Sequence, residues 1–273
     1  MAPAAVGGRL IDIMRAAALA AGEIILSVYR RPVVAQLKPD GSPVTEADQA
    51  AETVILEHLA ATGLPVLAEE SAAAGHIPEL GERFFVVDPL DGTREFLARN
   101  GEFTVNIALV EAGRVVAGIV TAPARARGWQ GDAAGAFAFD IESGRAGPAA
   151  PVHVGTASPP RLVASRSRGH AALAELTRRI PVGANVSVGS SLKFCLLAEG
   201  RAELYPRFTP TCEWDTAAGQ AVLEAAGGTV LTQSGSTLAY GKRSEGFFNP
   251  FFVAASTEGL ARDTASVMRS ILG

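Results

Sequence analysis

Phe84-Phe-Val-Val-Asp88-Pro-Leu-Asp91-Gly-Thr93 combines an apolar run with two closely spaced carboxylates. Phe84 to Val87 is the pattern of a buried strand. Pro89 holds Asp88 extended, so the strand is expected to end there. Pro89 and Gly92 then suit a tight turn that swings Asp91 back to the side of Asp88. Two carboxylates converging at a strand end, with a backbone carbonyl between them, suit a hard divalent cation such as Mg²⁺. Gly92 clears room beside its backbone, where exposed amides can meet phosphate oxygens. An ordinary Asx turn explains the same residues equally well when they are taken alone.

Upstream, Leu10, Met14, Ala17, Ala21, Ile24, Ile25 and Val28 recur at helical spacing within residues 8–30. A turn-rich loop, Lys38-Pro-Asp-Gly-Ser-Pro43, precedes a second helix that Thr45 caps and that runs to about Thr62. A short strand from Pro65 to Ala68 ends at Glu69-Glu70. Downstream, Phe103–Val110 and Val115–Thr121 read as a hairpin about Ala112-Gly113, and a second hairpin surrounds Ala134-Gly135. Alternation in the first hairpin strand predicts one buried face and one solvent face. Ser143 to Pro160 holds four Pro and three Gly in 18 residues, which places a lobe boundary near residue 150. Beyond it strands and helices alternate. The expected organisation is an N-terminal α+β lobe, 1–150, and a C-terminal α/β lobe, 151–273, stacked as alternating layers.

Composition sets outer limits. The chain has 273 residues, 48% of them apolar and 19% charged, which excludes fibrous and largely disordered classes. A net charge of −4 argues against general affinity for nucleic-acid backbones. No apolar run has the length of a membrane span, and no cationic region precedes a hydrophobic block at the N-terminus. Cys195 and Cys212 form no disulfide framework and no C-x-x-C pair. The expectation is a cytoplasmic protein with two free thiols, Cys195 in the core; peripheral association with the inner membrane face stays open. There are 50 Ala and 21 Arg but three Lys (Lys38, Lys193, Lys242) and nine Asp, a skew that GC-rich mutational bias explains. Each Asp and Lys is nonetheless worth following.

Four further features are individually weak. Glu69-Glu70 is by itself an ordinary solvated pair. Asp48, three residues after Thr45, has the spacing of a capping box. Asp215 after Trp214 suits a helix N-cap. Lys193 fits the exposed face of an amphipathic helix, and Arg207 fits a structural ion pair. Their convergence on one site is the functional reading.

Glu69-Glu70, Asp88-Pro-Leu-Asp-Gly-Thr93 and Trp214-Asp-Thr-Ala-Ala-Gly219 together resemble the motifs of the inositol monophosphatase and fructose-bisphosphatase superfamily, from Pro43 to Gly228. That resemblance implies a layered αβαβα sugar-phosphatase fold of two lobes and a Mg²⁺-dependent, lithium-sensitive phosphatase. Thr93-Arg-Glu-Phe96, Asn100-Gly-Glu-Phe-Thr-Val-Asn-Ile107, Gly189-Ser-Ser-Leu-Lys-Phe-Cys195 and Leu204-Tyr-Pro-Arg-Phe208 are similar to the bacterial 3′(2′),5′-bisphosphate nucleotidases of the CysQ type. By this resemblance Glu69, Asp88, Asp91, Asp215 and the Leu90 carbonyl hold two or three Mg²⁺ ions, with one pair roughly 3.5–4 Å apart. Thr93 and Asp48, with Glu69, orient and deprotonate the attacking water. Gly92, Thr93, Ser190, Lys193, Arg207 and His170 contact substrate, with Arg168 competing for the place of His170.

The resemblance thus implies hydrolysis of the 3′-phosphate of 3′-phosphoadenosine 5′-phosphate to AMP by a monomer or homodimer, with its 5′-phosphosulfate analogue a further substrate. An inositol or sugar phosphatase keeps the metal site and changes the pocket. A haloacid-dehalogenase-type enzyme fits less well, because its Asp-x-Asp pair is spaced by two and Asp88 and Asp91 by three. A non-catalytic nucleotide- or metal-binding regulator on the same scaffold is the reading of another class. The presence of Asp48, Glu69 and Thr93 favours an enzyme.

Overall fold

In a computed structural model, the strand Arg83–Asp91 lies inside an eight-stranded sheet, between Val66–Ala68 and Thr104–Glu111. The structure describes residues 3–38, 41–164 and 171–273, with backbone alone for 3–9. Outward from Thr104–Glu111 follow Arg114–Ala122, Arg127–Asp132, Gly135–Glu142 and Ala150–Pro151, with Arg145–Ala146 paired to Gly135–Glu142. These pairs are antiparallel; Val66–Ala68 alone runs parallel to its neighbour. A second sheet has the order Asn185–Ser187, Leu162–Ala164, Leu204–Arg207, Phe252–Ala255, Thr229–Thr232.

Side-chain alternation along the strands separates three cores. Phe85 and Val87 pack with Met14, Ala21, Ile25 and Ile55 of the helices Pro3–Tyr29 and Glu46–Ala60. Phe84 and Val86 point the other way, into a core shared with the helices Leu192–Ala198 and Ala217–Ala225. Phe252 and Ala254 of the second sheet close that core from its far side. Val253 and Ala255 face outward onto Leu176, Ala265 and Met268 of the helices Ala171–Arg179 and Glu258–Leu272. The result is five layers, αβαβα, the layering that the resemblance implies.

Two expectations are corrected. The hairpin strand expected to keep a solvent face is buried on both faces from Thr104 to Val110. Its alternation is one of chemistry: Val105, Ile107 and Leu109 meet the outer helices, while Thr104 and Asn106 face the middle layer. The turn expected after Asp88 is instead a β-bulge within a strand continuing to Asp91. Asp88 pairs with Asn106 and Asp91 with Thr104, so three steps on one strand oppose two on the other. The extra residue puts Asp88 and Asp91 on one side, the outcome expected of the turn. Asp88 Oδ1 also accepts the Leu90 N–H at 3.0 Å, so the Asx turn is present as well.

Gly118 and Gly131 sit opposite one another on adjacent strands, under the helix Ala217–Ala225. A Cβ on Gly118 would lie 2.6 Å from the Ala218 carbonyl oxygen and 2.8 Å from Ala221 Cβ. One on Gly131 would lie 2.7 Å from Val222 Cα. This close approach sets the height of the helix that follows Asp215. Among the described residues no helix is long and apolar enough to cross a membrane. Gly118→Ala is expected to cost about 1–3 kcal/mol by overpacking, read as a lower urea midpoint; an unchanged midpoint would show that the helix can rise without loss.

Candidate active site

Parallel pairing of Ala68 with Val87 brings the next residues, Glu69 and Asp88, side by side. Asp215 ends a short helical turn, Glu213–Asp215, and its Oδ2 accepts the Cys212 N–H at 2.8 Å. Asp88, Asp91 and Asp215 each present an oxygen within 4.8 Å of the others. Asp88 is 1% exposed. Burial, and then the charges of Glu69, Asp91 and Asp215, push its carboxyl well above the usual range. Burial and the same neighbours, Asp91 before Glu69, push Asp215 up to about 7. Glu69 is raised too, chiefly by burial, although Lys38 opposes the shift.

This donor set fits a hard divalent cation. It is all carboxylate oxygen, gathered from three separate chain segments, and its members hinder one another's ionisation. One nearby cation is Lys38, whose ammonium lies 2.7 Å from both Glu69 and Glu70. Burial works against that charge, but Glu69 and Glu70 outweigh it and hold Lys38 above its usual range. Glu70 itself is pushed up to about 7, mainly by burial.

Beside the cluster, the Thr93 hydroxyl donates to Asp48 Oδ1 at 3.0 Å and reaches the Leu90 carbonyl at 3.4 Å. Asp48 Oδ2 accepts both the N–H and the hydroxyl of Thr45, each at 2.7 Å. Asp48 is therefore the capping-box residue of its helix and the partner of Thr93 at once. Burial raises its carboxyl, against the hydrogen bonds from Thr45 and Thr93.

A cavity of about 190 Å³ opens from Asp91 and Asp215 toward Gly92, Ser190, Lys193 and Arg207. Lys193 is 4% exposed, not a surface residue. Its ammonium donates to the Ser190 carbonyl at 2.6 Å and lies 5.5 Å from the Tyr205 ring centroid. Burial lowers it to about 8; Asp91 resists and Arg207 adds to the shift. Arg207 Nε donates to the Thr209 carbonyl at 3.3 Å. Cys195 is buried, which pushes its thiol up.

The fold thus brings Asp48, Glu69, Asp88, Leu90, Asp91, Thr93 and Asp215 to one centre, with Gly92, Ser190, Lys193 and Arg207 around the adjoining cavity. His170 and Arg168 lie outside the described residues. Sequence reasoning missed Lys38, although it is one of three lysines. It also missed Glu52, whose carboxylate accepts the N–H groups of Glu70 and Ser71 at 2.8 Å and so orients the turn that carries Glu69. Arg94, within the motif Thr93-Arg-Glu-Phe96, also lines the cavity, a role the motif alone did not assign it.

Asp88→Asn removes one of the mutually repelling charges. In EDTA the variant is expected to melt at or above the wild-type temperature. Added MgCl₂ should raise the wild-type melting temperature and leave the variant's unchanged. Equal stabilisation of both proteins would remove Asp88 from the cation site.

The model of the inositol monophosphatase family matches residues 9–269. The chain is 45% identical over 244 residues to the 3′(2′),5′-bisphosphate nucleotidase CysQ of Salmonella typhimurium, covering 85% of this chain and 94% of that protein. It is 37% identical over 263 residues to the protein of the same name from Buchnera aphidicola, covering 91% and 94%. The crystal structure of CysQ from Bacteroides thetaiotaomicron, a bacterial member of the inositol monophosphatase family, superposes with a TM-score of 0.73 at 38% identity. That match covers 90% of this chain and 97% of the other.

Proposed function

Since the chain belongs to the inositol monophosphatase family, we propose that it is a Mg²⁺-dependent nucleotidase acting on 3′-phosphoadenosine 5′-phosphate. The products are AMP and phosphate. One observation carries the substrate choice: Asp91 and Asp215 of the acidic cluster and the cations Lys193 and Arg207 line a single cavity. One phosphate would be met at the acidic wall through cations bound there, and the second at the wall of Lys193 and Arg207. A buried lysine gains most from an anion that enters with the substrate. Inositol 1-phosphate brings no second anion for that wall. The names of the similar proteins point to the same substrate class.

Glu69, Asp88, Asp91, Asp215 and the Leu90 carbonyl would hold two or three Mg²⁺ ions. Bound there, the ions supply charge neutralisation at the phosphate and a lower pKa for water. The chain's own part is positional and protonic. Thr93 gives its hydroxyl hydrogen bond to Asp48, which leaves the Thr93 oxygen as an acceptor aimed at the attacking water. As a water proton passes to Thr93 Oγ1, the Thr93 hydroxyl proton passes to Asp48, whose carboxylate is neutralised by it. The water oxygen attacks phosphorus, the bond to the ribose 3′ oxygen breaks with its electron pair going to that oxygen, and a solvent water supplies the proton it takes up. Neither Cys195 nor Cys212 is needed as a nucleophile.

Phosphate release should be faster from the bisphosphate nucleotide than from inositol 1-phosphate or fructose 1,6-bisphosphate, each assayed with Mg²⁺. A faster inositol reaction would overturn the substrate assignment. Asp88→Asn should abolish turnover in a folded protein. Lys193→Met should raise KM for the nucleotide by about 10- to 100-fold, because a charge-assisted hydrogen bond contributes roughly 1.5–3 kcal/mol. Lys193 is charged below about 8 and neutral above it, so KM should rise as pH passes upward through that value. Lys193→Arg keeps its charge there and should flatten the alkaline limb; an unchanged limb would assign it to another group.

A further inference from the structure

We propose that Glu102 is a positioning residue for the substrate, clamping the loop Gly189-Ser190-Ser191 against the first sheet through Arg125. The idea rests on the substrate reading above and names what holds its cationic wall in place. Glu102 is 7% exposed. Its Oε2 accepts the Gly189 N–H at 2.9 Å. Its Oε1 accepts Arg125 Nη2 at 3.0 Å. Asn100 Oδ1 takes the Glu102 N–H at 2.9 Å, which fixes the backbone from which the carboxylate reaches.

Three consecutive loop residues are each held from the segment 91–104. Gly189 is held by Glu102, Ser190 by the Thr104 hydroxyl at 2.5 Å, and Ser191 by Asp91 Oδ2 at 2.7 Å from its N–H. Ser190 is a non-glycine residue with φ of 57°, a conformation that surrounding contacts must enforce. Gly189 has no lateral room: a Cβ there would lie 2.8 Å from Glu95 Cγ and 3.1 Å from the Glu102 carbonyl oxygen. Lys193 hangs from the far side of this loop by its bond to the Ser190 carbonyl.

The consequence is geometric. Asp91 belongs to the acidic cluster, and Ser190 lines the cavity. Thr104 and Glu102 hold the loop from outside that lining, and of these two Glu102 is the charged one, paired with Arg125. If Gly189 moves, the Ser190 carbonyl and the Lys193 ammonium move with it, while Ser191 stays tied to Asp91 by two bonds of its own, from its N–H at 2.7 Å and its hydroxyl at 3.0 Å. Glu102 therefore sets the distance between the two phosphate-binding walls, and Arg125 fixes the rotamer of Glu102.

The test compares Glu102→Ala, Glu102→Gln and Arg125→Met with the wild type, in kinetics and in amide hydrogen exchange. Glu102→Ala should raise KM for 3′-phosphoadenosine 5′-phosphate about tenfold and leave kcat within about twofold, the signature of lost binding rather than lost chemistry. Exchange should quicken in the peptide carrying Val188 to Ser191. Glu102→Gln retains an acceptor for Gly189 and Arg125→Met retains the carboxylate, so each should give a smaller rise in KM and a smaller exchange change. These two variants decide the matter if Glu102→Ala fails to fold. A lower melting temperature with KM and loop exchange unchanged would reduce Glu102 to a structural role and overturn the proposal. So would an equal fall in kcat on every phosphate ester. Should the wild type prefer another ester, the substrate reading fails, and loop exchange with KM for that ester still judges the clamp.

Discussion

Carboxylates held close together in a partly dry site repel one another, and here three of them come within 4.8 Å. Holding such a cluster costs stability until a cation neutralises it, so the backbone must fix each acid rigidly. Three separate devices do so. A parallel strand pair puts Glu69 beside Asp88. A bulge turns Asp91 to the side of Asp88. A facing glycine pair lets the helix after Asp215 press onto the sheet. The second half of the chain supplies that helix, so neither half alone completes the site.

The scarce lysines are all engaged. Lys38 meets Glu69 and Glu70, and Lys193 hangs from the loop Gly189-Ser190-Ser191. Lys242 meets Glu213, a fully buried carboxylate two residues before Asp215 that also accepts the Gly241 N–H at 2.7 Å. Removing one partner of such a buried pair typically costs 3–5 kcal/mol, because the remaining charge stays in a medium that solvates it poorly. The local charge balance thus depends on few cations, of which Lys38 and Lys242 are tied to the segments that present Glu69 and Asp215 and Lys193 to the loop beside the cavity.

Much of this was legible in the sequence, and what was not has physical reasons. Apolar runs and caps located most helices and strands, and the residues 88–93 located the centre. Periodicity misjudged the strand Thr104–Glu111, because alternation of polar and apolar residues does not reveal what covers the polar side. The bulge was read as a turn, since Pro89 and Gly92 serve either and the pairing register is a property of two strands. Glu52, Glu102 and Lys38 went unseen because each acts through a partner 18 to 87 residues away. No local pattern encodes such separations; only the assembled layers bring them together.

The structural and functional readings of the acids turn out to be compatible rather than rival. Asp48 is a capping residue and the partner of Thr93. Asp88 closes an Asx turn and belongs to the acidic cluster. One oxygen of each of the four aspartates accepts a backbone N–H: Thr45 for Asp48, Leu90 for Asp88, Ser191 for Asp91 and Cys212 for Asp215. An amide donor at one oxygen fixes the carboxylate rotamer and offsets part of its desolvation. The plane of each acid is set before substrate or cation arrives, which is what preorganised electrostatic catalysis requires. Replacement of Asp48, Asp88 or Asp215 by Glu would keep the charge and lose this geometry, because the longer side chain cannot close the same short ring to the backbone two or three residues away.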